Sequence, residues 1–325
     1  MTSNVKAPPG TLRLARFGGI DLLIRPSLLL MAALLVYLFA PRFVNQTGTN
    51  AYVLAGLFVL ALYISVLVHE IAHVILARHY RMPVASVTLH LLGGETAIEG
   101  ESRKPAQEFW TSIVGPLASL AIGGVAWILA RAMDDGNART VMEAVATVNI
   151  LVGAINLVPG LPLDGGRVFR AVIWAVTGNE ATGIKAAAWA GRGFAVVAVA
   201  IPLMWLARGD EYVTSVDLVL GILIGWFLWT GASQALRGAD RSARLNVLSA
   251  RRLAEVGAEP PTDAPALPAD LSGVALVRAM AASPSDVYRL TEADGSTYGL
   301  LRADRVDDAY RQGNPGNGNA GRGSK

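Results

Sequence analysis

Cysteine is absent from the 325 residues. That excludes disulfides and thiolate chemistry, and leaves histidine and carboxylate as the side chains able to hold a metal ion. Charge is scarce too: Asp, Glu, Lys and Arg make up 16% of the chain, against 53% apolar residues, which lies outside the usual balance of a soluble globular domain. Histidine is rarer still, with four in the whole chain, all between His69 and His90. A chain so poor in charge reads as a membrane protein.

What is present in quantity is apolar sequence, gathered in runs near the roughly 17–25 residues that a helix needs to cross a bilayer. Six spans are expected, near Pro26–Ala40, Ala51–Ala77, Glu108–Ala132, Val141–Leu157, Gly193–Leu206 and Val216–Ala235. Val168–Thr177 is apolar but too short to cross, and is expected to form an interfacial or re-entrant helix. The opening segment, Met1–Arg25, lacks the early apolar core of a signal peptide, so no cleavage is expected there.

Basic residues fall in alternate loops. Lys6, Arg13, Arg16 and Arg25 precede the first span, Arg78, Arg81, Arg103 and Lys104 follow the second, and Arg167, Arg170, Lys185 and Arg192 follow the fourth. Such loops are cytoplasmic by the positive-inside rule, which puts both termini on the cytoplasmic side of the cell membrane. The small positive excess is then a matter of topology and carries no nucleic-acid footprint.

Inside the second run stands His69-Glu70-Ile71-Ala72-His73, an H-E-x-x-H sequence. Residues four apart share a helix face, so the two imidazoles converge on one ion, while Glu70 flanks that face as a carboxylate able to take a proton from a metal-activated water. The plainer alternative is a buried polar cluster. Against it stands the cost of ionisable groups in a span, about 2.5 kcal/mol each, which confines them mostly to pathways and sites. His79 and His90 lie beyond the pair and are left out of the metal site.

A zinc site that does chemistry has three protein ligands and one open position. The best candidate for the third ligand lies in Asn156-Leu157-Val158-Pro159-Gly160-Leu161-Pro162-Leu163-Asp164-Gly165-Gly166. Pro159 and Pro162 end the fourth span near Leu157 and leave Asp164 on irregular chain, with Gly165 and Gly166 permitting a close backbone approach. Irregular backbone at membrane depth is tolerated only where it is buried in protein or lines a wet cavity.

H-E-x-x-H in a span, followed roughly ninety residues later by N-x-x-P-x-x-P-L-D-G-G, resembles the site-2 protease family of intramembrane zinc metalloproteases. The resemblance covers about Arg13 to Gln234. The layout is similar to the bacterial branch that carries a sensor-like domain after the last span. It implies one zinc ion per chain held by His69, His73 and Asp164, with Glu70 as general base and Asn156 orienting the substrate. It also implies cleavage within or beside a transmembrane segment of a membrane-anchored protein such as an anti-sigma factor. A different class remains open: a non-catalytic zinc-binding scaffold or transporter using the same residues to hold an ion.

Val84–Ile98 alternates apolar and polar residues and is expected to form a membrane-associated hairpin turning at Gly93-Gly94. With a similar Gly-Gly feature in the family, its edge could hold substrate in extended form, which makes Gly93 and Gly94 candidate substrate-binding residues. Gly115, Pro116, Ser119 and Gly123 make a small-residue stripe, read as helix packing without groups for chemistry.

The fold class expected is therefore an α-helical membrane protein of six transmembrane helices with that hairpin, plus a small α+β unit. Its parts are a cytoplasmic segment over 1–25, the core over 26–236, a linker over 237–268, a unit over 269–312 and a disordered tail over 313–325. Leu271–Ala282 reads as a helix, Val287–Leu290 and Tyr298–Leu301 as strands around Asp294-Gly295, and Ala303–Arg311 as a second helix. This order is weakly similar to one half of a cystathionine-beta-synthase-type sensor domain. The family carries such halves in tandem, so the single half leaves nucleotide binding open beside a docking or homodimerisation role.

Overall fold

The computed structural model describes residues 10–43, 51–90, 93–98, 102–209 and 214–313. The chain folds as two units, Met1–Ala235 and Leu236–Lys325.

The first unit opens on a hairpin of β1 (Leu12–Phe17) and β2 (Ile20–Ile24), followed by helix α1 (Ser27–Phe39) and a 3-10 turn, Ala40–Phe43. Helix α2 (Ala51–His79) carries the H-E-x-x-H sequence, and strands β3 (Val84–His90) and β4 (Gly93–Ile98) follow it. The remaining helices of this region are α3 (Pro105–Arg131), α4 (Asn137–Asn156), α5 (Asp164–Thr177), α6 (Glu180–Ala207) and α7 (Ser215–Asn246).

Among the described residues five helices, α2, α3, α4, α6 and α7, are long and apolar enough to cross a membrane. They leave large apolar side chains such as Leu60, Ile75, Ile128 and Trp226 exposed, as a surface solvated by lipid requires. The chain is a multi-pass membrane protein. The first expected span, Pro26–Ala40, corresponds to α1, whose 13 residues fall short of that length by themselves. Helix α6 begins at Glu180, well before the expected Gly193, because the Asn179 side chain caps it by accepting from Thr182 N at 3.3 Å. Before it, α5 stops at Gly178, whose φ of 68° supplies the left-handed turn that closes a helix.

Close packing comes from missing side chains. A Cβ on Gly123 would stand 2.7 Å from Ile150 Cγ1, and one on Gly153 would stand 3.0 Å from the Pro116 carbonyl, so α3 and α4 meet nearly backbone to backbone.

The expected hairpin is part of something larger. β1, β2, β3 and β4 form one four-stranded sheet in that order, with β2 and β3 parallel and the other pairs antiparallel. The segment before the first span therefore contributes half of this sheet. Ile20 of β2 and Val87 of β3 pack with Val74 of α2, which lays the sheet on the helix that carries the motif. Gly93 and Gly94 do not make the turn: they already pair with His90 and Leu89 in the ladder. What their sequence signalled as a turn is a strand with no side chain where it meets α2.

The second unit has its own core of Leu248, Leu276, Tyr288, Leu290 and Leu301. Helix α8 (Ala250–Leu253), strands β5 (Glu255–Val256) and β6 (Ala266–Pro268), helix α9 (Gly273–Ala282), strands β7 (Val287–Thr291) and β8 (Thr297–Arg302) and helix α10 (Ala303–Gln312) surround it. The sheet order is β5-β8-β7-β6. β6 and β7 are parallel, with α9 as the crossover such a pair needs. Leu248, Ala250, Leu253 and Leu267 belong to this core, so much of the expected linker is built into the unit. The expected disordered tail lies, apart from Gly313, outside the described residues.

Candidate metal centre

One helical turn of α2 separates His69 from His73, and both are buried, with Glu70 between them. Asp164 reaches them from the first residue of α5. The sequence placed Asp164 on irregular chain; it instead opens a helix, because Leu163 before it is extended (φ −70°, ψ 160°) and Gly165 and Gly166 form the first turn. A Cβ on Gly165 would collide with the Leu157 backbone, and one on Gly166 with Gly160 and Leu161. The two glycines are what let α5 start hard against the end of α4.

His69 Nε2 lies 3.1 Å from Asp164 Oδ2 and 3.2 Å from His73 Nε2, and His73 Nε2 lies 3.3 Å from Asp164 Oδ2. The ligand atoms of a tetrahedral zinc with bonds of about 2.0–2.2 Å stand roughly 3.3 Å apart. The triangle has the edge of such a tetrahedron, and two imidazoles with one carboxylate are a donor set suited to catalytic zinc.

The outer nitrogens explain why the rings face this way. His73 Nδ1 donates to the Thr111 carbonyl at 2.6 Å; a carbonyl can only accept, so the proton sits on Nδ1 and the Nε2 lone pair is free. His69 Nδ1 stands 2.9 Å from Ser119 Oγ. Between these supports lies Gly115, where a Cβ would fall 2.7 Å from His69 Nε2 and closer still to His73 Nε2. The small-residue stripe of α3 thus has two functions. Pro116 and Gly123 pack α4, while Gly115 and Ser119 receive the histidines. Reading the stripe as packing alone overlooked Ser119, which does supply a polar group. A signal was available: Thr111, Gly115 and Ser119 recur every four residues, a polar and small line on an otherwise apolar helix.

Glu70 faces β4. Its Oε2 accepts from Thr96 Oγ1 at 2.6 Å, and a Cβ on Gly94 would lie 2.7 Å from its Oε1. A cavity of about 540 Å³ opens here, lined by His69, Glu70, Gly94, Asn156 and Asp164 among polar groups and by Leu62, Val66 and Phe227 on its apolar side. Asn156 and Gly94 therefore share this cavity with the donors. Gly93 is one strand residue further along, and His79 meets the Tyr80 ring edge-on, apart from the donor cluster.

A family model described as peptidase family M50 matches residues 57–134 and 130–200, which contain every donor just described. Over these residues the chain is similar to peptidase family M50. The chain resembles a protein of Synechocystis sp. that bears a zinc metalloprotease name, at 30% identity over 74% of this chain and 63% of that one. Rip3 of Mycobacterium tuberculosis, also named as a zinc metalloprotease, is 34% identical over 75% of this chain and 61% of its own. The chain thus spans about three fifths of the length of these relatives. Among solved structures, the site-2 protease of Methanocaldococcus jannaschii aligns with 70% of this chain and 95% of its own, at 24% identity and a TM-score of 0.48.

Around the three candidate donors, a buried ion cluster fixes α5. Glu108 on α3, 2% exposed, accepts from Arg167 Nε at 3.0 Å and from Ser102 Oγ at 2.6 Å. Arg170 stands 3.9 Å from the same carboxylate and donates to Glu180 at 2.5 Å. Arg167 sits one turn after Asp164, so the clamp holds the helix that delivers the carboxylate donor. Both arginines entered the sequence reading as loop charge; here they also neutralise a buried glutamate, which explains why that glutamate is tolerated.

Proposed function

We propose that this chain hydrolyses peptide bonds within or beside the transmembrane segments of membrane-anchored proteins, with His69, His73 and Asp164 holding one zinc ion and Glu70 as general base. The observation that carries this is the triangle of three donor atoms at tetrahedral spacing, open to a cavity into which Glu70 projects. Zinc held there supplies Lewis-acid polarisation of the scissile carbonyl and activates water near neutral pH. Glu70 accepts the proton of the attacking water and returns it to the departing amine nitrogen as the C–O bond forms and the C–N bond breaks. Asn156 orients the substrate from across the same cavity.

A helical substrate hides its carbonyls in hydrogen bonds and must be held extended to be cut. β4 ends the sheet, with no strand beyond it among the described residues, and its free edge, beginning at Gly93 and Gly94, is assigned to the substrate backbone. A membrane-anchored regulator of the anti-sigma-factor type fits that geometry. In the C-terminal unit the strand–helix–strand–strand–helix order supports a half-sized sensor module that docks a partner or pairs with a second chain. A strictly monomeric mass for the purified protein in detergent, at all concentrations, excludes the pairing.

The sheet supports six crossings. β2 precedes α1 and β3 follows α2, yet the two strands are neighbours, and Arg25 N donates to Leu89 O at 2.9 Å. The start of α1 and the end of α2 then share one membrane face. With α2 crossing, α1 and its 3-10 extension, Ser27–Phe43, cross back, at the lower limit of about 17 residues. Both termini then face the cytoplasm. The lack of natural cysteine makes the check direct: single cysteines placed at Gly10 and Gly313 should both be shielded from an impermeant maleimide in intact cells, and labelling of only one of them refutes the even count.

The chemistry is tested by Glu70→Gln. Cleavage of a single-pass model substrate should fall at least about 10³-fold while zinc stays bound. Surviving proteolysis would sink the mechanism, and a wild type that binds zinc but cleaves nothing would favour a protein that only holds its ion.

A further inference from the structure

No motif marks Thr96, yet its hydroxyl is bonded to the Glu70 carboxylate. It stands two residues from Gly94 on β4, so the two positions share one face of the strand. That face meets Glu70: the Thr96 hydroxyl donates to Oε2 at 2.6 Å, and Oε1 lies over the bare Cα of Gly94.

The terminal torsion of a glutamate is broad and roughly two-fold, so the side chain alone does not select a carboxylate plane. A neighbour can. Threonine on a strand is stiff at χ1, and β4 is held to β3 from Val84 to His90. With Oε2 committed to a hydroxyl on that rigid strand, Oε1 is the oxygen left to handle the proton. We infer that Thr96 is a positioning residue for Glu70, fixing the carboxylate plane so that the base is aimed by β4 and not by the helix that carries it. This rests on the peptidase reading and deepens it. The strand proposed to take the substrate backbone at its edge also orients the base, so substrate register and base orientation share one element.

A merely structural hydrogen bond at this position would affect stability; a positioning role affects turnover. The test uses the full-length protein in detergent and a single-pass model substrate with a Gly-Pro pair in its span, with Glu70→Gln as the inactive control. Thr96→Val should lower kcat about 10- to 100-fold with KM and zinc content within about twofold of wild type, and Thr96→Ser should return kcat to within about threefold. Wild-type kcat in Thr96→Val, or a Thr96→Ser enzyme as slow as Thr96→Val, overturns the inference. Should Thr96→Val not fold, Thr96→Ala takes its place with the same expectations.

A second readout needs no cleavage. In metal-free protein, the infrared carboxylate band assigned to Glu70 by its loss in Glu70→Gln should shift in Thr96→Val and stay in place in Thr96→Ser. An unmoved band overturns the positioning role even if the chain proves not to be a peptidase. A moved band with no cleavage by wild type refutes the activity and not the contact.

Discussion

Helices α2 and α3 are alike by composition, 29 and 27 residues of mostly apolar sequence, yet they serve the candidate metal centre in opposite ways. α2 supplies both imidazoles and the proposed base. α3 supplies no donor, but it meets both rings: through the Thr111 carbonyl, through Ser119 Oγ and through the vacant side of Gly115. The residues that would bind the ion declare themselves by type, since histidine and glutamate have few other reasons to lie in a membrane span. The residues that aim them are a backbone carbonyl, a serine and a missing methyl group, each ordinary in a helix–helix contact.

If α3 matters as much as α2, a change in α3 that touches no donor should be as damaging as losing one. Gly115→Val offers the sharpest form of that comparison. Its side chain would occupy the space that His69 Nε2 and His73 Nε2 now fill, so the rings must swing away. Bound zinc should fall to about a tenth of an equivalent or less, as in His73→Ala, with the protein still extractable as a folded species. Metal content by mass spectrometry decides it. Retention of a full equivalent of zinc would show that the rings can shift together, and that α3 is a passive wall.

The same contrast explains what could be read from the sequence. The spans came from apolar run length, and the helix–strand order of the C-terminal unit from turn residues and periodicity. The two histidines could be named because H-E-x-x-H has a fixed helical geometry, whereas Asp164, a candidate from its proline-rich approach, became the third ligand through the resemblance of the paired motifs to a known family. The four-stranded sheet was only half legible. Val84–Ile98 alternates clearly, but its pairing with Ile20–Ile24 joins segments on either side of two helices, and nothing local encodes a parallel partner so far away. Gly94 shows a related limit. Two adjacent glycines signal a turn in isolation, whereas here the second lies in a strand because Glu70 of another element occupies the space of its side chain. Glu108 and Arg167 are 59 residues apart, and each alone looks like surface charge. Contacts that depend on what a distant helix brings stay hidden from local pattern.

The weaker of the two α3 supports gives the smaller effect and the finer test. With Nε2 of His69 bound to zinc, its Nδ1 would carry the proton and donate to Ser119 Oγ, which stands 2.9 Å away. Ser119→Ala removes the acceptor and leaves a buried N–H unpaired, which frees the ring to rotate about its own axis but adds no bulk. Such outer partners typically contribute a 10- to 100-fold factor in metal affinity, about 1.4–2.7 kcal/mol. Zinc competition with a chelator should show a loss in that range, while a saturating metal supply restores the full equivalent. His73, tied to a backbone carbonyl that no substitution deletes, should keep its orientation in the same variant. An affinity unchanged by Ser119→Ala would mean that packing against Gly115 alone sets the His69 ring, and α3 would then act by shape and not by hydrogen bonding.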